Sequence, residues 1–303
     1  MVNTLFQVTS VEKFMKCFEE NWCELEWTPW IKFSSSITDW ANLPGNQGVY
    51  RVRPVSTNLL AYVGQTGRNL KERLSDLRRN TLAEIMPFND PHTAAPNLWV
   101  WRKEKNWDYE CSAATTSFST RERLALECFL LWQYRLEKGE STLCNHGRFH
   151  LDYHKSRGRK TGIRGKKLAA NEKRNPAGGK SHHPLTFVGK PLENDWMGLV
   201  WSKFAPFVSS ELNLVPKNPG GYRIVDSANQ KLLYIGETKN LQNRFRTHRR
   251  HIAQKEGAVF SFSIKPFSIQ DHELKELEND LIGAYYTQTK SVPIYQFSNT
   301  GNK

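Results

Sequence analysis

The sequence predicts an α+β chain made of two tandem copies of one small domain. Each copy is a central antiparallel sheet flanked by helices, and a basic arm joins them. Three observations predict this: the chain repeats itself, each repeat moves from a hairpin into a helix, and one stretch holds most of the excess charge. Trp30 and Trp201 lie 171 residues apart, as do Phe33 and Phe204, and Arg73 and Arg244. Tyr50 and Tyr222 are 172 apart, as are Tyr62 and Tyr234. A colinear series with a nearly constant offset is the mark of a duplication. The boundaries that follow are a helical segment over 1–26, a first domain over 27–151, the arm over 152–196 and a second domain over 197–303.

Taken in order, VEKFMKCFEENWCEL (11–25) reads as a helix that packs on the first copy. GVYRV (48–52) and YVG (62–64) are short β-rich runs around a polar bend, as are GYRI (221–224) and YIG (234–236), so each pair predicts a hairpin. NLKERLSDLRRN (69–80) and NLQNRFRTHRRHIAQ (240–254) open on Asn, a good N-cap, and continue as helices. A strand pair is expected around LWVWRKE (98–104) and YECSAATTS (109–117). VFSFSIK (259–265) alternates as a half-buried strand does. STRERLALECFLLWQYRL (119–136) opens with a capping box, Ser119 and Glu122, and DHELKELENDLIGAYY (271–286) is its counterpart.

Composition narrows the partner. The chain has 303 residues, 38% apolar and 12% aromatic, enough for two cores and too much for a disordered or collagenous chain. No window approaches 18 uncharged apolar residues, so no membrane span is expected. The first 22 residues lack a basic run followed by an apolar one, so they do not read as a secretory leader. The five cysteines, 17, 23, 111, 128 and 144, include no C-x-x-C pair. They predict reduced, mostly buried thiols in a cytoplasmic protein rather than a disulfide frame or a zinc site.

The net charge is +13, and residues 153–190 hold eleven Lys or Arg against Glu172 alone, which is +10 of that total. The stretch is Gly-rich and short of large apolar residues, so it predicts a linker or an arm that orders on binding. Lys155, Arg157, Arg159, Lys160, Arg164, Lys166, Lys167, Lys173 and Arg174 are its candidate DNA contacts. They would track phosphates by counterion release.

The site residues recur in order. The first half reads G48-V-Y50, Y62-V-G64 and N69-L-x-x-R73, then a helix with Glu127 and a late C144-N-H-G-R148. The second reads G220-G-Y222, Y234-I-G236 and N240-L-x-x-R244 with His248 four on, then Glu278 in LENDLI. Taken singly, each tyrosine is equally well a core aromatic. Glu127, the only acid in LALECFLLW, would be costly to bury unpaired. On these residues both halves resemble the GIY-YIG nuclease family, closest in style to its restriction enzymes.

That resemblance implies a Mg²⁺-dependent (or Mn²⁺-dependent) restriction endonuclease, with one ion and one cut strand per copy of the site. Tyr50 and Tyr222 would activate water. Tyr62 and Tyr234 would bind the scissile phosphate or support that water. Arg73 and Arg244 would stabilise the transition state, and Glu127 and Glu278 would be the metal carboxylates. His248 would be a base or phosphate ligand, and the first copy has Leu77 in its place. Asn145 would shape the first site. Its counterpart would be Gln296, which fits the PIYQF alignment, or Asn299. Double-stranded DNA is the expected partner, acted on by a monomer, with a cognate methyltransferase as a possible companion and no membrane. Three readings compete: one copy only positions DNA, the enzyme is a modification-dependent phage-defence nuclease, or the fold only binds DNA.

Overall fold

In the computed structural model, residues 16–89, 94–251 and 257–297 are described. The first half holds β1 (Ile31–Lys32), α1 (Ile37–Trp40), β2 (Gly48–Pro54), β3 (Tyr62–Thr66), α2 (Leu70–Thr81), α3 (Ala95–Lys105), β4 (Tyr109–Thr115) and α4 (Thr120–Lys138). The second holds β5 (Ala205–Pro206), α5 (Ser209–Leu214), β6 (Gly220–Asp226), β7 (Lys231–Thr238), α6 (Leu241–His251), β8 (Ala258–Ile264) and α7 (Asp271–Thr289). Each half forms a four-stranded antiparallel sheet, ordered β1-β4-β2-β3 and β5-β8-β6-β7. Register matches as well: Tyr50 pairs with Gly64, and Tyr222 with Gly236.

Local chemistry explains the helices. Ser119 and Glu122 form the capping box at the start of α4. The Asn69 side chain accepts from Glu72 N, and that of Asn240 from Asn243 N at 2.9 Å, which satisfies first-turn donors of α2 and α6. Leu70, Leu74 and Leu77 bury one face of α2, and Leu241, Phe245 and His248 the same face of α6.

Four expectations need correction. LWVWRKE is helical, not extended. Pro96 sits in the first turn of α3, where its missing N–H costs nothing. Asn97 then ties the helix to Leu143 O and Arg148 O, at 3.0 and 3.1 Å. The N-terminal segment is not an α-helix either. Residues 16–18 and 22–24 are single 3₁₀ turns, Cys23 and Glu24 have φ of 57° and 61°, and residues before 16 lie outside the described chain.

The aromatic alignment also shifts by three. Trp27 Nε1 donates to Trp22 O at 2.9 Å, and Trp201 Nε1 to Trp196 O at 2.9 Å. The buried Arg51 guanidinium lies 4.2 Å from the Trp27 ring, and that of Arg223 lies 4.3 Å from Trp201. Trp201 therefore matches Trp27 rather than Trp30, and Phe204 takes the place of Trp30. The shared geometry reaches back to Trp22 and Trp196, ahead of the expected domain starts.

Finally, residues 153–190 are packed rather than free. Tyr153 bridges to Lys167, Phe149 N donates to Ala177 O, and Ser156 is buried. Arg164 donates to Met86 O at 2.6 Å over the Phe88 ring, Lys167 pairs with Glu104 and Arg174 with Asp152. Gly165 and Gly178 let this chain press on backbone where a Cβ would collide. The composition hid this because backbone hydrogen bonds, not apolar bulk, hold the segment. All nine basic candidates remain at least partly exposed.

The halves meet through α4 and α7, which also lie on their own sheets. Gly283 lets them approach, since a Cβ there would stand 2.5 Å from that of Trp132. The five cysteines are free thiols, three of them buried. No described helix is long and apolar enough to cross a membrane.

Candidate active site

Strand register builds the site. Tyr50 on β2 and Tyr62 on β3 stand with ring centroids 6.0 Å apart, as do Tyr222 on β6 and Tyr234 on β7. The space for them comes from glycine. A Cβ on Gly64 would lie 2.7 Å from Tyr50 Cζ and 2.8 Å from its hydroxyl. One on Gly236 would strike the Tyr222 hydroxyl and lie 2.8 Å from Tyr234 Cε1. Gly236→Ala is therefore expected to displace the tyrosine pair by about 1 Å and to lower turnover by about 10²-fold, because misplacement on that scale costs that much. Steady-state kinetics of the variant, with circular dichroism to check the fold, would measure this. Near-normal turnover would refute the role given to this glycine.

The edge strands are held from outside. Asn145 Oδ1 accepts from Val63 N at 3.0 Å and its Nδ2 donates to Val63 O at 2.8 Å, so one side chain satisfies both backbone groups between Tyr62 and Gly64. In the second half Gln296 takes the first of these two bonds. Its Oε1 accepts from Ile235 N at 3.0 Å, and the residue is 2% exposed. Gln296 is thus the counterpart of Asn145, while Asn299 lies outside the described residues.

The tyrosines differ in their neighbours. Arg73 Nε donates to Tyr50 Oη at 3.2 Å. In the second half, Tyr222 Oη lies 2.9 Å from His248 Nε2, and both tyrosine rings lie 5.3 Å from the imidazole. Leu77, fully buried, fills the place of His248 in the first half. Arg244 is exposed on the same helix edge.

Burial sets the protonation states. It raises Tyr50 despite the opposing Arg73 charge, and the charge of Glu127 adds to the rise; Tyr222 goes well above the ordinary phenol value. Both are neutral phenols, so neither is a ready phenolate base. Burial, then the Arg244 charge, lowers His248 to about 3, so this imidazole is neutral too. The pair shares one hydrogen, from the phenol O–H to Nε2 or from the Nε2–H tautomer to the phenol oxygen. Glu127 on α4 is raised to about 7 by burial, with Arg73 opposing. Glu278 on α7 is raised to about 8 by burial and then by Glu237, with Arg244 and Lys275 opposing.

Glu127 and Glu278 are partly buried, and neither has a hydrogen-bond or ion-pair partner among the described residues. No group of three or more His, Cys, Asp or Glu side chains that could hold a metal converges among those residues. One unpartnered carboxylate per site fits an ion that keeps most of its waters, as Mg²⁺ does, and does not fit zinc.

Sequence reasoning missed the residue after each YVG or YIG. Gln65 Oε1 accepts from Arg123 Nε at 3.3 Å. Its counterpart Glu237 pairs in register with Gly221, which packs against Leu277 and Leu281 of α7, the helix of Glu278. The signal was a single difference, Gln against Glu. The histidines in and beside the arm divide as well. His154 and His182 are exposed beside Glu172 and Glu273, while His150 is buried with its ring 4.6 Å from Trp101, so it faces core rather than solvent or DNA.

Residues 218–291 match the family described as the GIY-YIG catalytic domain. The match lies wholly in the second half. Its Tyr222, Tyr234, Arg244, His248 and Glu278 all lie inside that match. An 82-residue stretch of the chain is 34% identical to UvrABC system protein C of Oenococcus oeni. The alignment takes in 26% of this chain and spans 13% of that relative's length.

Proposed function

We propose that the chain is a Mg²⁺-dependent DNA endonuclease of restriction type, with one unequal GIY-YIG site per half and one strand cut by each. The observation that carries this reading is the repeated set of two tyrosines, a glycine, an arginine and a helix glutamate, in one strand register in both halves. The GIY-YIG match of the second half makes hydrolysis of a phosphodiester the natural chemistry.

At the second site Arg244 presents its donor fork to the equatorial phosphate oxygens. A phosphate paired to Arg244 also offsets that cation's charge, which after burial is the next cause that depresses His248. The attacking water then gives a proton to the Tyr222 oxygen as the phenol proton moves to His248 Nε2. Glu278 would hold the Mg²⁺, which supplies charge neutralisation at the leaving oxygen. Arg73, Tyr50, Tyr62 and Glu127 offer the first half the same set without the imidazole. The deciding test is cleavage of unmodified and phage-derived DNA with Mg²⁺ or EDTA, with the ends sequenced. Paired ends at one short motif support restriction. Ends confined to modified DNA move the enzyme to the modification-dependent class, and binding without cutting overturns catalysis.

The exposed arm side chains would contact the flanking backbone. Because Tyr153, Ser156 and Ala177 pack into the first half, deletion of the arm would damage the fold. The informative variant instead changes Lys155, Arg157, Arg159, Lys160, Lys166 and Lys173 to Gln. It is expected to flatten the log–log salt dependence of DNA binding by about 0.9 for each phosphate that is no longer neutralised. An unchanged slope in a titration over about 50 to 300 mM salt, the range in which counterion release is felt, would remove the arm from the interface.

A further inference from the structure

We propose that the groove between α5 and α6 holds a backbone phosphate of the bound DNA, in the second half alone and away from the scissile phosphate. The inference rests on the reading that the chain acts on DNA. The groove encloses about 480 Å³ and is lined by Ser209, Leu212, Asn213, Arg246, Arg249 and Arg250.

Its charge is specific to this copy. α2 carries Lys71, Arg73, Arg78 and Arg79 against Glu72 and Asp76. α6 carries Arg244, Arg246, Arg249 and Arg250 and no acid, because Asn243 and Thr247 stand where Glu72 and Asp76 do. In the first half, Arg78 is engaged by the fold. It donates to Phe33 O and Ser35 O, at 2.6 and 2.9 Å, and lies over Trp40. Arg79 there pairs with Asp76. Their counterparts are Arg249, which donates to Ser209 Oγ at 2.8 Å, and Arg250, which lines the groove. Arg246 stands where Ser75 does and donates to Asn213 Oδ1 at 3.2 Å. None of the three has a carboxylate partner among the described residues.

Three like charges spaced i, i+3 and i+4 repel one another when the groove is empty. A phosphate offers each guanidinium an anionic acceptor of matching geometry. At about 100° per residue, Arg246, Arg249 and Arg250 lie across the helix from Arg244 and His248. A helix about 10 Å across corresponds to roughly three nucleotides at about 3.4 Å each. The groove would therefore grip the strand about three nucleotides from the cut, and only on the second half's flank.

The test is fluorescence anisotropy with a labelled duplex of about 25 bp, longer than the phosphate footprint of such a protein, in EDTA so that no cutting intervenes. Wild type is compared with R246Q/R249Q/R250Q and with the all-lysine variant R246K/R249K/R250K. The Gln variant is expected to lose about 0.9 of slope per phosphate, about eightfold in affinity at roughly 0.1 M salt for each. The Lys variant should keep the wild-type slope, because counterion release needs only the charge. Equal slopes for wild type and the Gln variant would overturn the groove as a DNA contact while leaving the nuclease reading intact. Failure of wild type to bind the duplex would overturn both. Inorganic phosphate heats that the Gln variant loses, with unchanged DNA slopes, would replace the proposal with a small-anion site.

Discussion

Glu278→Ala is expected to slow the first cut of a supercoiled plasmid by about 10²-fold or more, while Glu127→Ala leaves the first cut near its wild-type rate and stops linearisation. The asymmetry follows from what stands behind each tyrosine. Tyr222 has His248 Nε2 at 2.9 Å, a neutral nitrogen that can take the proton. Tyr50 has Arg73 Nε at 3.2 Å, a donor that can take none, and Leu77 where an imidazole would be. A positioned proton acceptor contributes about 10²–10⁴ in rate. With Glu278 removed, only the slower first-half site remains, so nicks accumulate late. With Glu127 removed, the faster site nicks early and nothing completes the break. The double variant should be inactive. Gel-resolved time courses of supercoiled, nicked and linear DNA would measure all three variants. Linear product from either single variant at the wild-type rate would refute one site per strand. Equal nicking rates would refute the special role of His248. His248→Leu, which copies the first half, should slow the first cut as Glu278→Ala does but, with metal binding retained, still give linear product slowly.

The pattern of the candidate site was the most legible part of the molecule, for a physical reason. Tyrosines in alternate strand positions, a glycine beneath them and an N-capped helix after them are local patterns, and each occurs in the sequence twice. The long helix α4 announced itself through its capping box, and α7 as its counterpart in the repeat. What stayed hidden depends on partners far along the chain. Asn145 reaches across 82 residues to Val63, and Gln296 across 61 to Ile235, with different side-chain lengths performing one task. The same limit concealed the basic segment, whose Arg164 and Lys167 find Met86 and Glu104. LWVWRKE misled because a short run of large and β-branched apolar residues suits a strand, while Pro96 and the bonds of Asn97 favour a helix start. The three-residue slip among the aromatics came from matching Trp to Trp, where the shared object is a bond from indole to the carbonyl five residues back.

Arg135→Met is expected to cost about 3–5 kcal/mol of stability and roughly 10 °C in melting temperature, the largest loss foreseen for a residue that touches no reacting group. Arg135 on α4 is 1% exposed and binds Asp280 of α7 through two bonds, 2.7 and 3.1 Å, with Glu276 3.5 Å away. Removal of the cation leaves two buried carboxylates facing an apolar side chain. The loss should depend on pH with a definite sign. Burial already raises Asp280 from 3.8 to about 6 against the pull of Arg135. A raised carboxyl favours the folded state at low pH, and that contribution is lost as pH rises from about 4 through about 6. Without Arg135 the carboxyl rises further, so the deficit relative to wild type should grow between about pH 5 and about pH 8. Melts at both pH values would show this, and a deficit independent of pH would refute it. R135M/D280L should recover part of the stability, because it removes one of the two stranded carboxylates, while Glu276 stays buried without the cation and Leu185 N loses its acceptor. Its cutting pattern is the more telling readout. Asp280 lies two residues from Glu278, and Arg135 about two turns from Glu127, so the ion pair fixes how the two glutamate-bearing helices sit against each other. A stable R135M/D280L protein that still nicks each strand, but at offsets that vary between molecules, would identify the buried pair as what sets the stagger. A sharp wild-type stagger would assign that spacing to Gly283 and Trp132 instead.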